Sequence, residues 1–531
     1  MSGRFPLLVV ALAIGLGQLT APSGAYAAQF EETKVAPHGL DPNDKFVRFG
    51  LSVDMSGDRA IVGSPYEDSG GVASVGAAYV YEHDGWSWAE VAKLAPPDPA
   101  LATDFGLSVA ISGDWALIGA PGAGAAGEGH FYSRVPFSQP GQWLPVQAVG
   151  PSVATWGFGH DVALDGNRAA VASFVCAGCL GTNYVAIFER VGGAWQETQV
   201  LAGPGLEGYG MDLALRGDYL AVGAPWTNGQ EGGVYVYEHD GSSFQQVAQV
   251  APPRPQAYAQ FGAAVDIGSD GRLLVGVPQD DAHASRAGTA YSFSATNGWS
   301  YGAELGPRSR QASQYFGISA SFSGAFAVVG AFGDGYANWQ WPGAGYAFVD
   351  SLFGWVVREQ LKASDSPPLQ WLGYAAAISG DWALLGAPAG DTDNIGAAYF
   401  YSGVACGEDR EPPEMIEAVE KDGILAVVVA DDTSVSSLEL SWNENALLEF
   451  VAPTPEWWQS SEPAERLAAR SRGAGDRERA GEETELGTAH YDEHPEEVTV
   501  RFVRVEPRLP ASVEIIVRDP CGGESRMKPW S

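Results

Sequence analysis

Short stretches of alternating apolar and polar residues return at regular intervals along the chain. In the first copy, Leu51 to Ser56 alternates, and Ala60 to Val62 is a continuous apolar run. Alternation predicts a half-buried strand, and a short continuous run predicts a strand that is covered on both faces. Gly76 to Tyr81 places large aromatic residues at every second position, and Trp88 to Ala95 forms a fourth segment. Each unit is therefore predicted to contain four strands.

This unit occurs seven times. The copies begin at Phe49, Phe105, Phe158, Tyr209, Phe261, Phe316 and Leu372. Two of them depart from the Gly-Ala-Pro or Gly-x-Pro that ends the second strand elsewhere, since they end in Ser173-Phe174 and Ala331-Phe332. The spacing of 51 to 56 residues is typical of blades or solenoid units, not of separate domains. Four antiparallel strands repeated radially form a propeller blade, so the sequence predicts an all-β fold with a seven-bladed β-propeller.

The ring is predicted to close with a strand from the beginning of the chain. The seventh unit reaches Gly396 to Tyr401 and has no fourth strand before Cys406. Residues 29–37 have the register of residues 88–96, the fourth strand of the first unit. We therefore expect the N-terminal strand 29–37 to complete blade seven, which would cover an edge that could otherwise pair with another chain.

The repeat resembles the FG-GAP family, which is found in integrin α-subunit propellers and in many bacterial secreted proteins. The resemblance covers roughly Gln29 to Gly403 and implies a ligand-binding propeller. Family members that bind calcium carry an Asp-x-Asp/Asn-x-Asp-Gly ladder between the first two strands. Here that link is as short as Ser56-Gly57-Asp58. Because Ca²⁺ takes six to eight oxygen ligands, we expect neither calcium sites of this type nor any other metal or cofactor.

The first 27 residues predict export. They contain Arg4, a largely apolar run from Leu7 to Leu19 and an Ala25-Tyr26-Ala27 end, which is typical of a secretory signal peptide. No later stretch has the eighteen or so apolar residues of a membrane helix. We expect residues 28–404 to form the propeller of a secreted, periplasmic or cell-surface protein without membrane insertion. The net charge of −35 argues against binding to nucleic acid.

The four cysteines suit an oxidising compartment. Cys176 and Cys179 lie close together in the third unit, where a local disulfide, a redox-active pair and free or metal-bound thiols all remain open. Cys406 and Cys521 flank the C-terminal segment. We expect these two cysteines to form a disulfide, because the other pair can bond locally.

Residues 405–531 differ in composition from the repeats. Strand-like segments at 424–430, 437–442, 498–505 and 513–517 predict a small β module. Its ending, Val517 to Gly522, resembles the last strand of immunoglobulin-like modules in bacterial surface proteins, which implies an immunoglobulin-like β-sandwich. Residues from about 460 to 497 are too polar to bury a core, so we interpret them as a mobile insertion. His490 and His494 lie in this insertion, which makes a specific metal site there an unfavoured interpretation.

Residues that could support catalysis are sparse. His83 and His239 occupy equivalent turns in two repeats, so they are interpreted as features of the repeat. His160 and Asp161 replace Leu-Ser in the third unit, and an acid/base pair there is the less favoured alternative. We find no nucleophile elbow, P-loop or metalloprotease motif.

Binding is the favoured class of function. The long links between the second and third strands should lie on the same face as the links between blades, opposite the tight turns. The candidate ligand-binding residues on these links are Tyr66, Trp226, Trp339 and Trp341, accompanied by the acidic residues Asp280, Asp281, Asp391 and Asp393. Such aromatic residues either pack against neighbouring loops or form a platform for sugar rings or peptide side chains. In integrin-type propellers the same face meets ligands.

We therefore expect a secreted, non-enzymatic recognition or adhesion protein that binds an extracellular protein or glycan. Two alternatives remain. An extracellular enzyme acting on polysaccharide would need acidic residues that converge at one mouth of the channel. A structural envelope or matrix component would show neither ligand nor turnover.

Overall fold

A computed structural model describes residues 32–404 apart from gaps at 41–43, 100, 136–141, 154, 175–182, 204–207, 336–340, 352–353, 366–368 and 390–393. After residue 404 it describes only the backbone of nine strands. The repeats form seven four-stranded antiparallel sheets, and the predicted seven-bladed, all-β propeller is confirmed.

The described chain begins with a separate strand, β1 (Glu32–Val35). In each of the first six blades, four consecutive strands then follow one another from the inside to the outside of the ring. Blades one and two comprise β2 (Val53–Ser56), β3 (Arg59–Ser64), β4 (Ala77–His83), β5 (Trp88–Leu94), β6 (Val109–Ser112), β7 (Trp115–Ala120), β8 (Glu128–Arg134) and β9 (Trp143–Val149). Blades three and four comprise β10 (Phe158–Asp165), β11 (Arg168–Ser173), β12 (Tyr184–Val191), β13 (Ala194–Ala202), β14 (Leu213–Arg216), β15 (Tyr219–Gly223), β16 (Val234–His239) and β17 (Phe244–Val250).

Blades five and six comprise β18 (Ala264–Ile267), β19 (Arg272–Val277), β20 (Thr289–Ser294), β21 (Ser300–Leu305), β22 (Ala320–Ser323), β23 (Phe326–Ala331), β24 (Ala344–Ser351) and β25 (Gly354–Leu361). Blade seven contains β26 (Ala375–Ser379), β27 (Trp382–Ala387) and β28 (Ala397–Tyr401). Two short turns lie in the links among the described residues: Thr227–Gln230, in which Asn228 and Gly229 have left-handed backbone angles, and a 3₁₀ turn at Ala295–Asn297. None of the described helices has the length and apolar composition that a membrane span requires.

The outer strand of blade seven is β1. It pairs antiparallel with β28 from Glu32 opposite Tyr401 to Val35 opposite Ala398. Lys34 forms an ion pair with Asp365 and lies over the ring of Tyr399. The same arrangement occurs in blade one, where Lys93 pairs with Glu67 over Tyr79. The first strand of the chain thus occupies the position that β5 occupies in blade one.

The Phe-Gly pair that opens each repeat joins neighbouring blades. Phe49 is fully buried and forms a parallel bridge to Gly396 of blade seven. Gly50 has a φ of +84°, and a Cβ atom there would lie 2.4 Å from the carbonyl oxygen of Ala397. Only glycine fits this left-handed, closely approached position. The recurrent glycine therefore sets the distance between adjacent blades.

Aromatic rings fill the spaces between blades. Trp88 of blade one stacks on Phe400 of blade seven with ring centroids 4.3 Å apart, and Trp195 of blade three stacks on Phe131 of blade two at 4.2 Å. The tryptophan that begins an outer strand therefore packs against the preceding blade.

The polar positions of the alternating inner strands connect the blades around the channel. Three tiers of side chains accept hydrogen bonds from backbone N–H groups of the next blade. In the first tier Ser108 accepts from Val162 and Asp161 from Leu213. In the second tier Asp54 accepts from the Ile111 N–H. The third tier includes Ser56, Ser112, Asp165 and Ser379. The polar half of the alternation thus lines the channel and fastens each blade to its neighbour.

Beyond the propeller, nine strands are described: β29 (Glu414–Lys421), β30 (Ile424–Ala430), β31 (Ser437–Ser441), β32 (Leu447–Phe450), β33 (Arg477–Arg479), β34 (Thr488–Ala489), β35 (Val498–Glu506), β36 (Glu514–Arg518) and β37 (Glu524–Met527). They pair in two sheets, ordered β29-β30-β35-β32-β33 with β34 beside β35, and β31-β36-β37. The immunoglobulin-like sandwich and the mobility of the insertion stay predictions. The four cysteines and His490 to His494 lie outside the described residues.

Candidate functional site

The long links of the propeller lie on one face, opposite the tight Gly-Asp turns. Of the predicted binding residues, Tyr66 is 36% exposed, and Trp226 and Trp341 are half-buried. Trp339 lies outside the described residues, as do Asp391 and Asp393. Tyr66, Trp226 and Trp341 belong to three different blades, so they do not form one platform by themselves.

Five aromatic residues of blades six and seven meet on this face, and we refer to them as the mouth cluster: Tyr315, Phe332, Trp341, Trp371 and Tyr374. Phe332 is central to the cluster. Its ring stacks on Tyr315 at 4.8 Å and lies 5.7 Å from Trp341, 5.9 Å from Trp371 and 5.8 Å from Tyr374. All five residues are half-buried, so they present aromatic surface to solvent while they pack on one another.

Local sequence explains why the mouth cluster forms in blade six. Phe332 takes the position that proline holds in five of the seven repeats, directly after the second strand. Tyr315 and Trp371 precede the bend that opens their repeats and have φ values of 53° and 58°. The residue before this bend is left-handed in all seven repeats, and most of the others are small or polar. Two large aromatic residues at this strained position are therefore a special feature of blades six and seven.

Cationic and polar groups surround the mouth cluster. The guanidinium of Arg48 lies 4.9 Å from the ring centre of Trp371, and Arg286 donates a hydrogen bond to the Tyr315 hydroxyl at 3.1 Å. Burial, followed by the nearby Asp104 carboxylate, raises the pKa of Tyr66. The indole nitrogen of Trp371 is buried and has no hydrogen-bond partner within the described part of the chain. The surface thus combines flat apolar faces with positive charge in a strongly acidic protein.

A second, smaller cluster lies in blades three and four. Phe174 also replaces the recurrent proline, and it stacks on His160 at 4.7 Å and meets Trp226 edge-on at 5.5 Å. Trp226 covers the backbone of Gly208, where a Cβ atom would lie 3.2 Å from the indole. Burial lowers the pKa of His160 to about 4, so the imidazole is neutral at physiological pH. Trp226 is thus packed against neighbouring links.

Asp280 and Asp281 are engaged within the protein. Asp280 is only 3% exposed, and its carboxylate accepts hydrogen bonds from the Ala282 N–H at 2.6 Å and the Tyr291 hydroxyl at 3.3 Å. Asp281 accepts from the N–H of Arg286. Glu67 with Tyr79 and Asp334 with Tyr346 repeat the acid-tyrosine contact in blades one and six. These carboxylates therefore hold the long links in place.

Four aspartates line the wall of the channel: Asp54, Asp161, Asp212 and Asp266. Surrounding protein atoms raise the pKa of all four, to about 6 for Asp54. The two oxygens of Asp161 accept from the Ser108 hydroxyl and the Leu213 N–H, both at 2.7 Å. Asp212 accepts from the Val265 N–H at 2.6 Å. Because backbone donors from neighbouring blades occupy them, these carboxylates act as structural links between blades.

The histidines that recur in the repeat support tight turns. His83 accepts a hydrogen bond from the Gly85 N–H, and His239 accepts one from the Gly241 N–H, in each case through Nδ1. His83 also lies between Trp88 and Trp382, with ring centroids 5.2 and 4.8 Å away. The equivalent turn contacts of the two histidines match the interpretation of these residues as features of the repeat.

Within the described part of the chain, no group of three or more His, Cys, Asp or Glu side chains is arranged to hold a metal ion. Because links as short as Ser56-Gly57-Asp58 cannot supply six to eight oxygen ligands, we expect a chelator such as EDTA to leave the melting temperature nearly unchanged. Structural calcium would stabilise the folded state in proportion to RT ln(1 + [L]/Kd). Thermal unfolding with and without millimolar calcium checks this, and a large calcium-dependent rise would contradict it.

Sequence reasoning identified only Trp341 of the mouth cluster. Phe332 and Tyr374 fall within the repeat segments, and Phe332 is visible there as a departure from proline, whereas Tyr315 and Trp371 precede their repeats and carry no sequence signal. Two such positions, Phe174 and Phe332, each lie within an aromatic cluster. A residue that departs from the repeat consensus was therefore the sequence signal for these clusters, because the consensus proline is sufficient for the fold.

Four segments of the chain match the FG-GAP repeat family: residues 31–81, 88–132, 244–293 and 355–401. The chain therefore contains FG-GAP repeats, arranged as a seven-bladed propeller. No curated protein matches the chain significantly. Among solved structures, it is similar to Sqt1 of Chaetomium thermophilum, with a TM-score of 0.42 and 12% identity over 75% of this chain and 96% of that chain. A similarity at this level gives no information about ligand or activity.

Proposed function

We propose that this protein is a secreted, non-enzymatic recognition or adhesion protein that binds an extracellular protein or glycan through the loop face of its propeller. The observation that carries the proposal is the mouth cluster, which presents half-buried aromatic faces beside Arg48 and Arg286. Rigid aromatic surfaces give large contact area at little entropic cost, and they suit both sugar rings and apolar peptide side chains.

The scaffold supports a binding role. Interlocking hydrogen bonds between inner strands hold the blades in fixed positions, so the links on the loop face start from a rigid base. Binding sites on loops that a rigid scaffold positions are common in proteins. The signal-like residues 1–27 support export, and the net charge of −35 disfavours anionic partners away from the arginines of the mouth.

A non-enzymatic role is favoured over hydrolysis because of where the acidic residues lie. Catalysis on polysaccharide would use two carboxylates that flank a bound sugar. The channel carboxylates Asp54, Asp161 and Asp212 instead accept backbone hydrogen bonds from the next blade. Turnover of a glycan panel by the mature protein would favour the enzyme alternative, and self-association without ligand would favour a structural role.

Replacement of Phe332 by proline is expected to weaken ligand binding at least tenfold, which corresponds to about 1.4 kcal/mol. The variant restores the residue that five other repeats carry at this position and removes the central ring of the mouth cluster. The measurement is an array of glycans and matrix proteins probed with the mature wild-type protein and the variant, followed by titration of the strongest ligand.

The matched control is Phe174→Pro, which makes the same change in the other repeat that lacks the proline. It should keep the wild-type affinity, because Phe174 lies in the second cluster. Melting curves of both variants verify folding. Equal affinity of the wild type and Phe332→Pro for every array ligand would contradict the assignment of the mouth cluster.

A further inference from the structure

A groove of about 670 Å³ lies at the closure seam, on the side of the propeller between blades seven and one. One wall is the segment from Thr33 to His38, and the other contains Tyr81 and Trp88 to Glu90. Among the described strands, none pairs with the outer edge of β1 or β5, the two strands that border the groove. At the rim, His38 Nδ1 and Glu90 Oε2 are 2.8 Å apart.

At two other seams of the ring a side-chain carboxamide occupies this position, whereas blades one, four and five have Ala92, Ala248 and Ala303 there. Between blades two and three, Gln147 accepts from the Trp195 N–H at 2.9 Å and donates to the Trp195 carbonyl at 2.7 Å. Between blades three and four, Gln199 forms the same pair of bonds with Phe244, both at 2.8 Å. A side-chain carboxamide from one blade thus binds the outer strand of the next blade.

Thr33 occupies the equivalent position at the closure seam. Gln147 pairs opposite Phe131, whose ring stacks on Trp195. Thr33 pairs opposite Phe400, whose ring stacks on Trp88. The threonine side chain is shorter than glutamine and carries no amide, so it cannot make the two bonds to the backbone of Trp88.

The backbone of Trp88 is oriented as that of Trp195. His83 lies opposite Trp88, and Arg190 lies opposite Trp195. In both blades the N–H of the opposite residue donates to the preceding turn, to Asp58 O at 2.8 Å and to Asn167 O at 2.9 Å. The same register therefore directs the N–H and C=O groups of Trp88 away from β4 and towards the groove.

A buried polar group in the groove also lacks a partner. Tyr81 is 1% exposed and lines the groove, and its hydroxyl has no hydrogen-bond partner among the residues that the structure describes. The equivalent hydroxyl of Tyr132 donates to the Ala95 carbonyl at 2.6 Å, and that of Tyr237 bonds to Tyr209 at 2.7 Å. A buried hydroxyl without a partner destabilises the protein, so a ligand that bonds to it gains affinity by removing that cost. The indole nitrogens of Trp88, Trp143 and Trp195 are all without partners and do not distinguish the seam.

We propose that the closure seam is a binding site for a primary carboxamide, presented as a Gln or Asn side chain of a partner polypeptide. The carboxamide would accept from the Trp88 N–H and donate to the Trp88 carbonyl, as Gln147 does at its own seam. Its second N–H faces the Tyr81 hydroxyl, and Glu90 and His38 at the rim contact the flanking peptide. The site is separate from the mouth cluster and does not depend on the function proposed for it.

The test uses three capped peptides, Ala-Ala-Xaa-Ala-Ala with Xaa as Gln, Glu or Leu, and the mature wild-type protein. The readout is the Trp88 indole N–H resonance in ¹H–¹⁵N spectra, which a Trp88→Phe variant identifies. Because all three peptides have the same backbone, their difference reports the side chain alone. We expect a saturable shift with the Gln peptide and at least tenfold weaker responses with the other two.

In the Thr33→Gln variant, the new glutamine side chain should occupy the groove and bond to the backbone of Trp88. This variant should therefore lose the response to the Gln peptide and have a higher melting temperature. Thr33→Ser is the matched control and should respond as the wild type does. Equal responses to the three peptides would overturn the proposal, and so would unchanged binding by a folded Thr33→Gln protein. A failure of the mouth cluster to bind array ligands would leave this result unaffected.

Discussion

Deletion of residues 29–37 is expected to lower the free energy of unfolding by about 4 kcal/mol or more and to cause aggregation. The deletion removes β1, whose four residues pair with β28, and a backbone hydrogen bond contributes about 1 kcal/mol. It also removes Val35 from the core between blades seven and one and leaves the edge of β28 open. Thermal unfolding and light scattering of the mature and shortened proteins measure the effect.

Strand complementation provides the control for this deletion. A synthetic peptide of residues 28–38 added to the shortened protein should restore part of the melting temperature, whereas a scrambled peptide should not. An unchanged melting curve after deletion would show that β1 contributes nothing to the ring.

Replacement of Asp212 by asparagine is expected to stabilise the protein at pH 8 by about 1 kcal/mol or more, the usual size of an effect at a poorly solvated charge. Burial, followed by the charge of Asp161, raises the pKa of Asp212 well above 3.8. The folded state therefore holds a proton that the unfolded state releases as pH rises above 3.8. The contribution of the Asp212 carboxyl to the free energy of unfolding is therefore greatest below that pH. This contribution is lost as the pH rises through the pKa of Asp212 in the folded state.

The asparagine variant removes this pH dependence and keeps an oxygen that can accept from the Val265 N–H. The difference in melting temperature between variant and wild type should be smallest near pH 4 and grow towards pH 8. Asp58→Asn is the control, because it removes the same charge from an exposed turn where the third repeat already has Asn167. A difference that does not vary with pH, or an equal gain in Asp58→Asn, would contradict the account.

Much of the propeller could be predicted because the recurring residues of the repeat mark where each strand begins and ends. Alternation in residues 51–56, the Gly-Asp turns and the aromatic third strand each constrain a single strand, and seven copies reinforce the interpretation. The register of residues 29–37 with residues 88–96 pointed to the outer strand of blade seven. Local pattern sufficed for the first six blades, since their contacts lie close together in sequence, whereas the closing strand of blade seven needed a comparison between repeats.

The site could be predicted only in part, because it depends on contacts between repeats. The left-handed residues Tyr315 and Trp371 come together only when blades six and seven are adjacent. The polar positions Asp161 and Asp212 look like solvent-facing residues of an amphipathic strand. Their role as links between blades follows from ring geometry, which sequence periodicity does not contain.

The most direct test of the account is hydrogen–deuterium exchange of the mature protein with and without the strongest ligand from the array. Binding through the mouth cluster predicts protection of the segments around residues 315–319, 332–335 and 371–374 on the loop face. The tight turns on the opposite face, such as Gly57-Asp58 and Gly113-Asp114, should exchange as before. Protection confined to those turns or to residues after 404 would contradict recognition through the loop face of the propeller.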